Sequence, residues 1–532
     1  MRDLGAPDGE TRTRTGDTTI FSRVLYQLSY LAVERRGYRL HRPRRGLPFR
    51  AVSRRILALV AVAVAAIAVA TVLIARGGSK DEPAPTSQGD TRAEALSYAP
   101  RSSPALVGVD TGSAAASLVL GALVPRVSGG ALSANDVSPL LGNEAVVAVL
   151  DPRTQRAQLS MVAKDPDALR ALTRHLAKAG AYNGASLYRA ARGAVLAVKG
   201  DAVVAASDEP TVRRAIDTAA NGANHLTPAQ FDARLAGLPK TADVRAVFDP
   251  KRVVVATRLP GVLTTRWGRS LTNGAAVLQE GGPGLQLPFV LQTDAARIND
   301  ADLPFGTGTT PPQMHGRAPL LIGVKDFARF IAFLRKADPQ RLGGLDSLQN
   351  GLPSFLRVNI DGLLGGLTGD GTVSSDDGLA HFAARTDPPN PDDWRTPLNR
   401  LSTLSSVLQS LGIDNVKLSE EPGGGDAYRL EIDGKLTARV GIFGPTLVIT
   451  DAGSTDLRAT ANAPAVPPPP GAAGGLTLRL QAREGRRLLG SLFGIGANDD
   501  GANVILDRFG DLTGWASAAT DGVRGTLQLG LR

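Results

Sequence analysis

Residues 200–215, GDAVVAASDEPTVRRA, align without a gap on residues 444–459, GPTLVITDAGSTDLRA. Val203-Val204-Ala205 faces Leu447-Val448-Ile449, and Arg214-Ala215 faces Arg458-Ala459. A short apolar run opened by Gly and closed by Ser, Thr and Asp reads as a strand, and the apolar-periodic stretch after an Asp reads as a helix. The same strand-turn-helix phrase therefore stands twice in one chain.

Working outward from this pair, other phrases match in the same order. Leu106–Asp110 (LVGVD) corresponds to Leu321–Asp326 (LIGVKD), each leading into an apolar-periodic stretch, Ala115–Leu123 and Phe327–Leu334. Leu159–Pro166 matches His381–Pro388, a strand ending in Asp-Pro before a helix, and Leu187-Tyr188-Arg189 matches Ala427-Tyr428-Arg429. Val244–Phe248 resembles Leu476–Leu480, and Leu271–Gly281 aligns on Leu512–Gly522. Glu280-Gly281 and Asp521-Gly522 are read as hairpin turns into the last strands, Leu285–Gln292 and Thr526–Leu531, because Gly accepts the positive φ of a tight turn. The fold class expected is α+β: two similar, mainly antiparallel sheet-plus-helix units, residues 93–299 and 318–532, joined by a linker over 300–317. Pro464–Gly475 (PAVPPPPGAAGG) interrupts the second unit and reads as a stiff polyproline spacer.

In the first unit the corresponding place holds a helix phrase, with Thr227 capping Pro228 and Phe231, Leu235 and Leu238 on one face. The stretch LTPAQFDARLAGLPKTADVRAVFDPKRV (226–253) and the opening ALSYAPRSSPALVGVD (95–110) resemble a family of uncharacterised bacterial membrane-anchored exported proteins with a domain of unknown function. That resemblance implies an envelope location and an α+β ectodomain, and it brings no catalytic residues.

Ahead of these units, Ile56–Ala75 (ILALVAVAVAAIAVATVLIA) is uncharged over twenty residues. A helix of that length spans ~30 Å, the bilayer hydrocarbon thickness, and it exceeds the ~7–15 residues of a signal-peptide core. Arg54 and Arg55 end a cluster of arginines just before it, so the positive-inside rule puts the N-terminus in the cytoplasm and the rest outside the cell membrane. The expected anchor is the single span bounded by Arg54, Arg55, Ile56 and Ala75. Residues 1–55 read as a disordered basic tail and 76–92 as a linker. Residues 11–32 resemble a spurious peptide from a tRNA locus, which makes Val33 or Val52 the expected true start.

Composition narrows function by exclusion. The 532 residues contain no cysteine, so disulfide scaffolds, thiolate metal sites and cysteine nucleophiles are out. Of the net charge of +10, residues 1–76 supply most, with 14 Arg against five acidic residues. The near-neutral remainder lacks the basic stripe that nucleic-acid binding needs. His175, His225, His315 and His381 are too far apart in sequence for a zinc motif, and GxSxG, SxxK and GxxxxGK[ST] signatures are missing. The Asx-Gly clusters at 370–378 and 498–501 read as turns, and Trp267, Trp394 and Trp515 as core anchors. No cofactor and no metal are expected. The expectation is a non-enzymatic, single-pass envelope protein whose ectodomain binds or scaffolds an envelope protein, lipid or glycan. Two alternatives remain: a carrier of lipid or another apolar ligand, which would leave an apolar void in the core, and a hydrolase with dispersed site residues.

Overall fold

The computed structural model describes residues 88–531, apart from 112–119, 121–122, 126, 142–143, 153, 155, 257–259, 282–283, 338–359, 377–380, 411–415, 422–425, 433–434, 452–455 and 485–508. Arg54, Arg55, Ile56 and Ala75, and with them the expected span, lie outside the described residues. Among the described residues no helix is long and apolar enough to cross a membrane.

The first ten strands are β1 (Ala105–Asp110), β2 (Glu144–Asp151), β3 (Arg156–Val162), β4 (Ala177–Tyr182), β5 (Ala185–Arg189), β6 (Val195–Lys199), β7 (Ala202–Ala206), β8 (Val244–Phe248), β9 (Leu271–Gly281) and β10 (Gly284–Thr293). After them come β11 (Met314–His315), β12 (Leu320–Val324), β13 (Gly371–Ser375), β14 (Phe382–Thr386), β15 (Val416–Glu420) and β16 (Ala427–Ile432). The chain closes with β17 (Lys435–Phe443), β18 (Thr446–Asp451), β19 (Ala465–Val466), β20 (Leu476–Leu480), β21 (Phe509–Ala519) and β22 (Gly522–Leu531). In the first half, neighbours run β4-β5-β6-β7-β3-β2-β1-β8-β9-β10, all antiparallel. In the second half, β15-β16-β17-β18-β14-β13-β12-β20-β21-β22 repeats that order strand for strand. β10 pairs with β22 and fuses the halves into one sheet of twenty strands. Pro288 pairs with Thr526, and these two occupy the same place in their respective strands, so the ladder is symmetric about that pair.

The ladder also fixes the register between the halves. Leu187-Tyr188-Arg189 and Ala427-Tyr428-Arg429 hold corresponding positions, as do Val244–Phe248 and Leu476–Leu480. Two of the sequence matches are each displaced by three residues. Leu159 corresponds to Ala384 rather than His381, so Asp165-Pro166 corresponds to Asn390-Pro391, and both Asp165 and Asn390 accept the backbone N–H two residues on. Leu271 corresponds to Phe509 rather than Leu512, and the glycine matching Gly522 is Gly284, not Gly281. The Asp-Pro and acidic-Gly pairs that suggested the other alignments are common turn chemistry, whereas the paired strands leave no freedom to slip.

Helices pack on the strands as α1 (Gln88–Ser97), α2 (Pro166–Arg174), α3 (Glu209–Ala220), α4 (Pro228–Arg234), α5 (Pro250–Ala256), α6 (Arg266–Ser270), α7 (Phe327–Ala337), α8 (Asp392–Ser410) and α9 (Leu457–Ala461). Alternation along the strands sends Val107, Val147, Leu287 and Phe289, with Ile322, Val373, Leu478 and Leu527, to one face. There they share a continuous core with Leu169 of α2, Val254 of α5, Trp267 of α6, Phe330 of α7 and Trp394 of α8. The opposite, outer face of the first half buries Leu106, Val146, Val247, Val277 and Val290 under Leu96 of α1 and Phe231 of α4. Thr227 and Gln230 cap α4 reciprocally, which fixes where Phe231 enters that face.

Two expected linkers are built differently. α1 begins at Gln88, so the last residues of the 76–92 stretch are helical; apolar Ala95 and Leu96 give the helix a face to bury. Residues 300–317 are likewise not a free connector: Leu303 and Phe305 are buried, and β11 pairs with β19. The same pairing pulls the proline stretch down onto the outer face of the second half, where Pro469 is buried and the Pro470 carbonyl lies 3.5 Å from Gln528 Nε2. The tract is a cover rather than a spacer.

Candidate functional site

Where the two halves meet, β10, β20, β21 and β22 form the floor of an apolar cavity of about 40 Å³ on the core face. Phe289, Leu478 and Leu527 rise from the sheet, and Trp267 of α6, Phe330 of α7 and Phe305 of the connecting segment close it from above. Trp267 is held by its own helix end: Thr265 caps α6 through the Gly268 N–H at 2.9 Å, and Trp267 meets Phe333 edge-on at 5.9 Å between ring centroids. Its indole Nε1–H is buried without an acceptor among the described residues. A buried donor without a partner is uncommon.

A second cluster lies on the outer face of the first half. Glu144 at the head of β2 accepts from Arg245 of β8 at 2.6 Å, and Arg92 of α1 stands 3.4 Å from its other oxygen. Arg92 also forks onto both oxygens of Asp232 in α4, at 2.6 and 3.2 Å, with its guanidinium 5.2 Å above the Phe231 ring. Gly108 makes room for this arrangement, since a Cβ there would overlap Glu144 Oε1. Burial pushes the Glu144 carboxyl above the ordinary range, against the pull of Arg245 and Arg92 and with help from Asp110 and Asp232. Its charges are spent on one another, so the cluster bolts α1 and α4 to the sheet and offers no free acid or base.

The histidines named from the sequence are dispersed. His175 ends α2, His225 bridges to Pro100, and His315 lies in β11, where burial followed by the Arg385 charge lowers its pKa. His381 Nδ1 stands 3.2 Å from the buried Asp451, which also accepts the Phe382 N–H at 3.2 Å. Ser375 donates its hydroxyl to the His381 carbonyl at 2.7 Å, so this serine is not turned to the ring as a nucleophile would be. No group of three or more His, Asp or Glu side chains is placed to hold a metal among the described residues. Asp370-Gly371 opens β13 rather than a turn, and 498–501 lies outside the described residues. Trp267 and Trp394 are core residues, as expected, but Trp515 stands half-buried on the outer face. The seam cavity had no signal in the sequence, because its walls come from strands and helices more than 200 residues apart.

No family model and no curated protein matches the chain. Among solved structures, crystal forms I and III of TP0453 align with it at TM-scores of 0.27 and 0.26 and 14% and 13% identity. Each alignment covers 38% of this chain, and 80% and 81% of the other. Likeness at that level bears on neither fold nor function.

Proposed function

We propose that the chain is a non-enzymatic, single-pass envelope protein, anchored by Ile56–Ala75 with Arg54 and Arg55 on the cytoplasmic side. Residues beyond the span form an extracytoplasmic, internally duplicated binding ectodomain with no nucleic-acid partner and no cofactor. The observation that carries this reading is the mount at the start of the ectodomain. Arg92, seventeen residues after the end of the proposed anchor, is engaged with Glu144, Asp232 and Phe231 at once. A tethered body held this way has its orientation set close to the anchor, which suits presentation of a binding surface. The repeated strand order supports the duplication.

The absence of native cysteine makes the topology directly testable. Single-cysteine variants Ser53→Cys and Lys199→Cys are exposed to a membrane-impermeant maleimide on intact cells. Labelling at 199 and protection at 53 is the expected pattern, and labelling of neither or of 53 alone overturns the anchor. Crosslinking in the native envelope then identifies what the ectodomain touches.

The apolar-carrier reading has one observation of its own, the seam cavity. At about 40 Å³ it offers little more than the space of one water, well below the ~300–1,000 Å³ of typical ligand pockets.

A further inference from the structure

We infer that Arg101, Arg234 and Arg252, gathered where β1 begins and β8 ends, form a surface binding site for a phosphate group. The inference goes beyond the topology proposed above and stands without it.

Three separate stretches of chain bring the guanidiniums together. The turn carrying Arg101 is fastened by its backbone: the Arg101 N–H donates to the Asn224 carbonyl at 2.6 Å, and the Ser103 N–H to the Pro100 carbonyl at 2.9 Å. Arg252, in the first turn of α5, reaches back to that turn and donates from Nη1 to the Ser102 carbonyl at 2.7 Å. Arg234 is the last residue of α4, and Asn273 Nδ2 of β9 donates to its carbonyl at 3.1 Å. Burial and then the Arg101 charge lower the pKa of Arg234, against the pull of Asp249, so the two guanidiniums stand close enough to repel.

Asp249 does not neutralise the group. Its Oδ1 accepts the backbone N–H groups of Lys251 and Arg252 at 2.9 and 3.3 Å, and its Oδ2 lies 3.5 Å from Arg252 Nε. Asp232, two residues before Arg234, is taken by Arg92. Arg101 and Arg234 have no ion pair or side-chain hydrogen bond among the described residues. Arg101 is exposed, Arg234 half-buried, and the Arg252 side chain 54% exposed, so an anion can reach all three from solvent. Guanidinium forks suit the several oxygens of a phosphate, whose charge would also relieve their mutual repulsion.

The second half shows that the scaffold does not need these arginines. There the Gln481 N–H donates to the Pro319 carbonyl at 2.8 Å, as the Asp249 N–H donates to the Pro104 carbonyl at 2.8 Å, which fixes the correspondence. Gly316, Gln481 and Glu484 stand where the first half has Arg101, Asp249 and Arg252. The same strand ends close without the arginines, so packing does not account for their placement in the first half.

The test is isothermal titration calorimetry on the full chain in a neutral detergent. Inorganic phosphate and dihexanoyl phosphatidylglycerol are titrated separately, with acetate for comparison. Saturable binding of phosphate is expected, at least about tenfold tighter than that of acetate. Arg101→Ala leaves the backbone bonds of its turn in place and should weaken phosphate about tenfold, with Arg101→Lys falling between. Lys251→Ala, which removes a neighbouring exposed cation from outside the set, should change it no more than about twofold. Binding of the lipid, with phosphate or instead of it, supports the site and gives its source as a membrane headgroup. Binding of phosphate alone supports it with a soluble phosphate as the source. No saturable binding of either overturns the site, as does an equal loss in Lys251→Ala and Arg101→Ala, the mark of a diffuse positive surface. Acetate bound as tightly as phosphate overturns the ligand class. Should Arg101→Ala fail to fold, the phosphate against acetate comparison on the unmodified chain decides.

Discussion

The two halves share a core face and differ on the outer one. Positions that carry Val146, Ala148, Val247, Ala275, Val277 and Val290 in the first half carry Thr372, Ser374, Arg479, Thr513, Trp515 and Gln528 in the second. The first set lies under α1 and α4; the second lies on the side covered by β11, β19 and the proline stretch. A helix brings a row of apolar side chains and so demands an apolar floor, whereas an extended cover brings backbone N–H and C=O groups that pair with hydroxyls and amides such as Thr372 and Gln528. One strand scaffold thus tolerates two outer surfaces, because backbone pairing and the shared core face set its shape.

Removing the cover from each half puts this contrast to its hardest test. Phe231→Ala should cost about 4 kcal/mol in urea unfolding, the usual loss for a fully buried aromatic. Pro469→Ala should cost about 1 kcal/mol or less, since it removes a small ring from a coil. Equal losses would mean that both covers carry apolar packing to the same degree. Next in size is Glu144→Ala, which strands two arginines and should destabilise by about 3 kcal/mol in the same assay. It should also raise amide exchange in α1, the helix that Arg92 holds.

At the seam, Gly522→Ala and Gly284→Ala should each cost about 2 kcal/mol, because a Cβ would overlap the carbonyl of Leu291 or of Leu529 across the β10–β22 ladder. A loss at both positions supports the symmetry of the ladder about Pro288 and Thr526. Gly522 is the more constrained of the two, with φ of +150°, and should show the larger effect.

The smallest effect concerns pH. Glu144 and Asp370 occupy corresponding strand positions, and burial raises the pKa of each, more firmly at Glu144 because Asp370 as a residue is exposed. The folded protein therefore holds a proton at these sites more readily than the unfolded chain. Their contribution is greatest below the ordinary carboxylate value and declines as pH rises through the window up to the raised one. Glu144→Gln should remove most of that decline from a plot of unfolding midpoint against pH, and Asp370→Asn a smaller part. A decline unchanged in Glu144→Gln would show that the two arginines already keep the carboxyl ionised.

Local chemistry carried much of this into the sequence. Residues 200–215 and 444–459 announce the same strand and helix because apolar runs, caps and turn residues act over a few positions, and α4 is legible down to its Thr227 cap. The two three-residue displacements arose where Asp-Pro and acidic-Gly pairs imitate one another, and only cross-strand pairing separates them. Composition likewise excluded thiolate chemistry outright, since that depends on which residues exist and not on where they lie.

The tertiary structure decided what depends on distant segments meeting. Fusion of β10 to β22 into a single sheet and the burial of Glu144 between Arg92 and Arg245 each join residues far apart in the chain. No periodicity encodes those meetings. Each depends on how distant segments are brought together, as when β10 and β22, one from each half, satisfy their edge hydrogen bonds against each other.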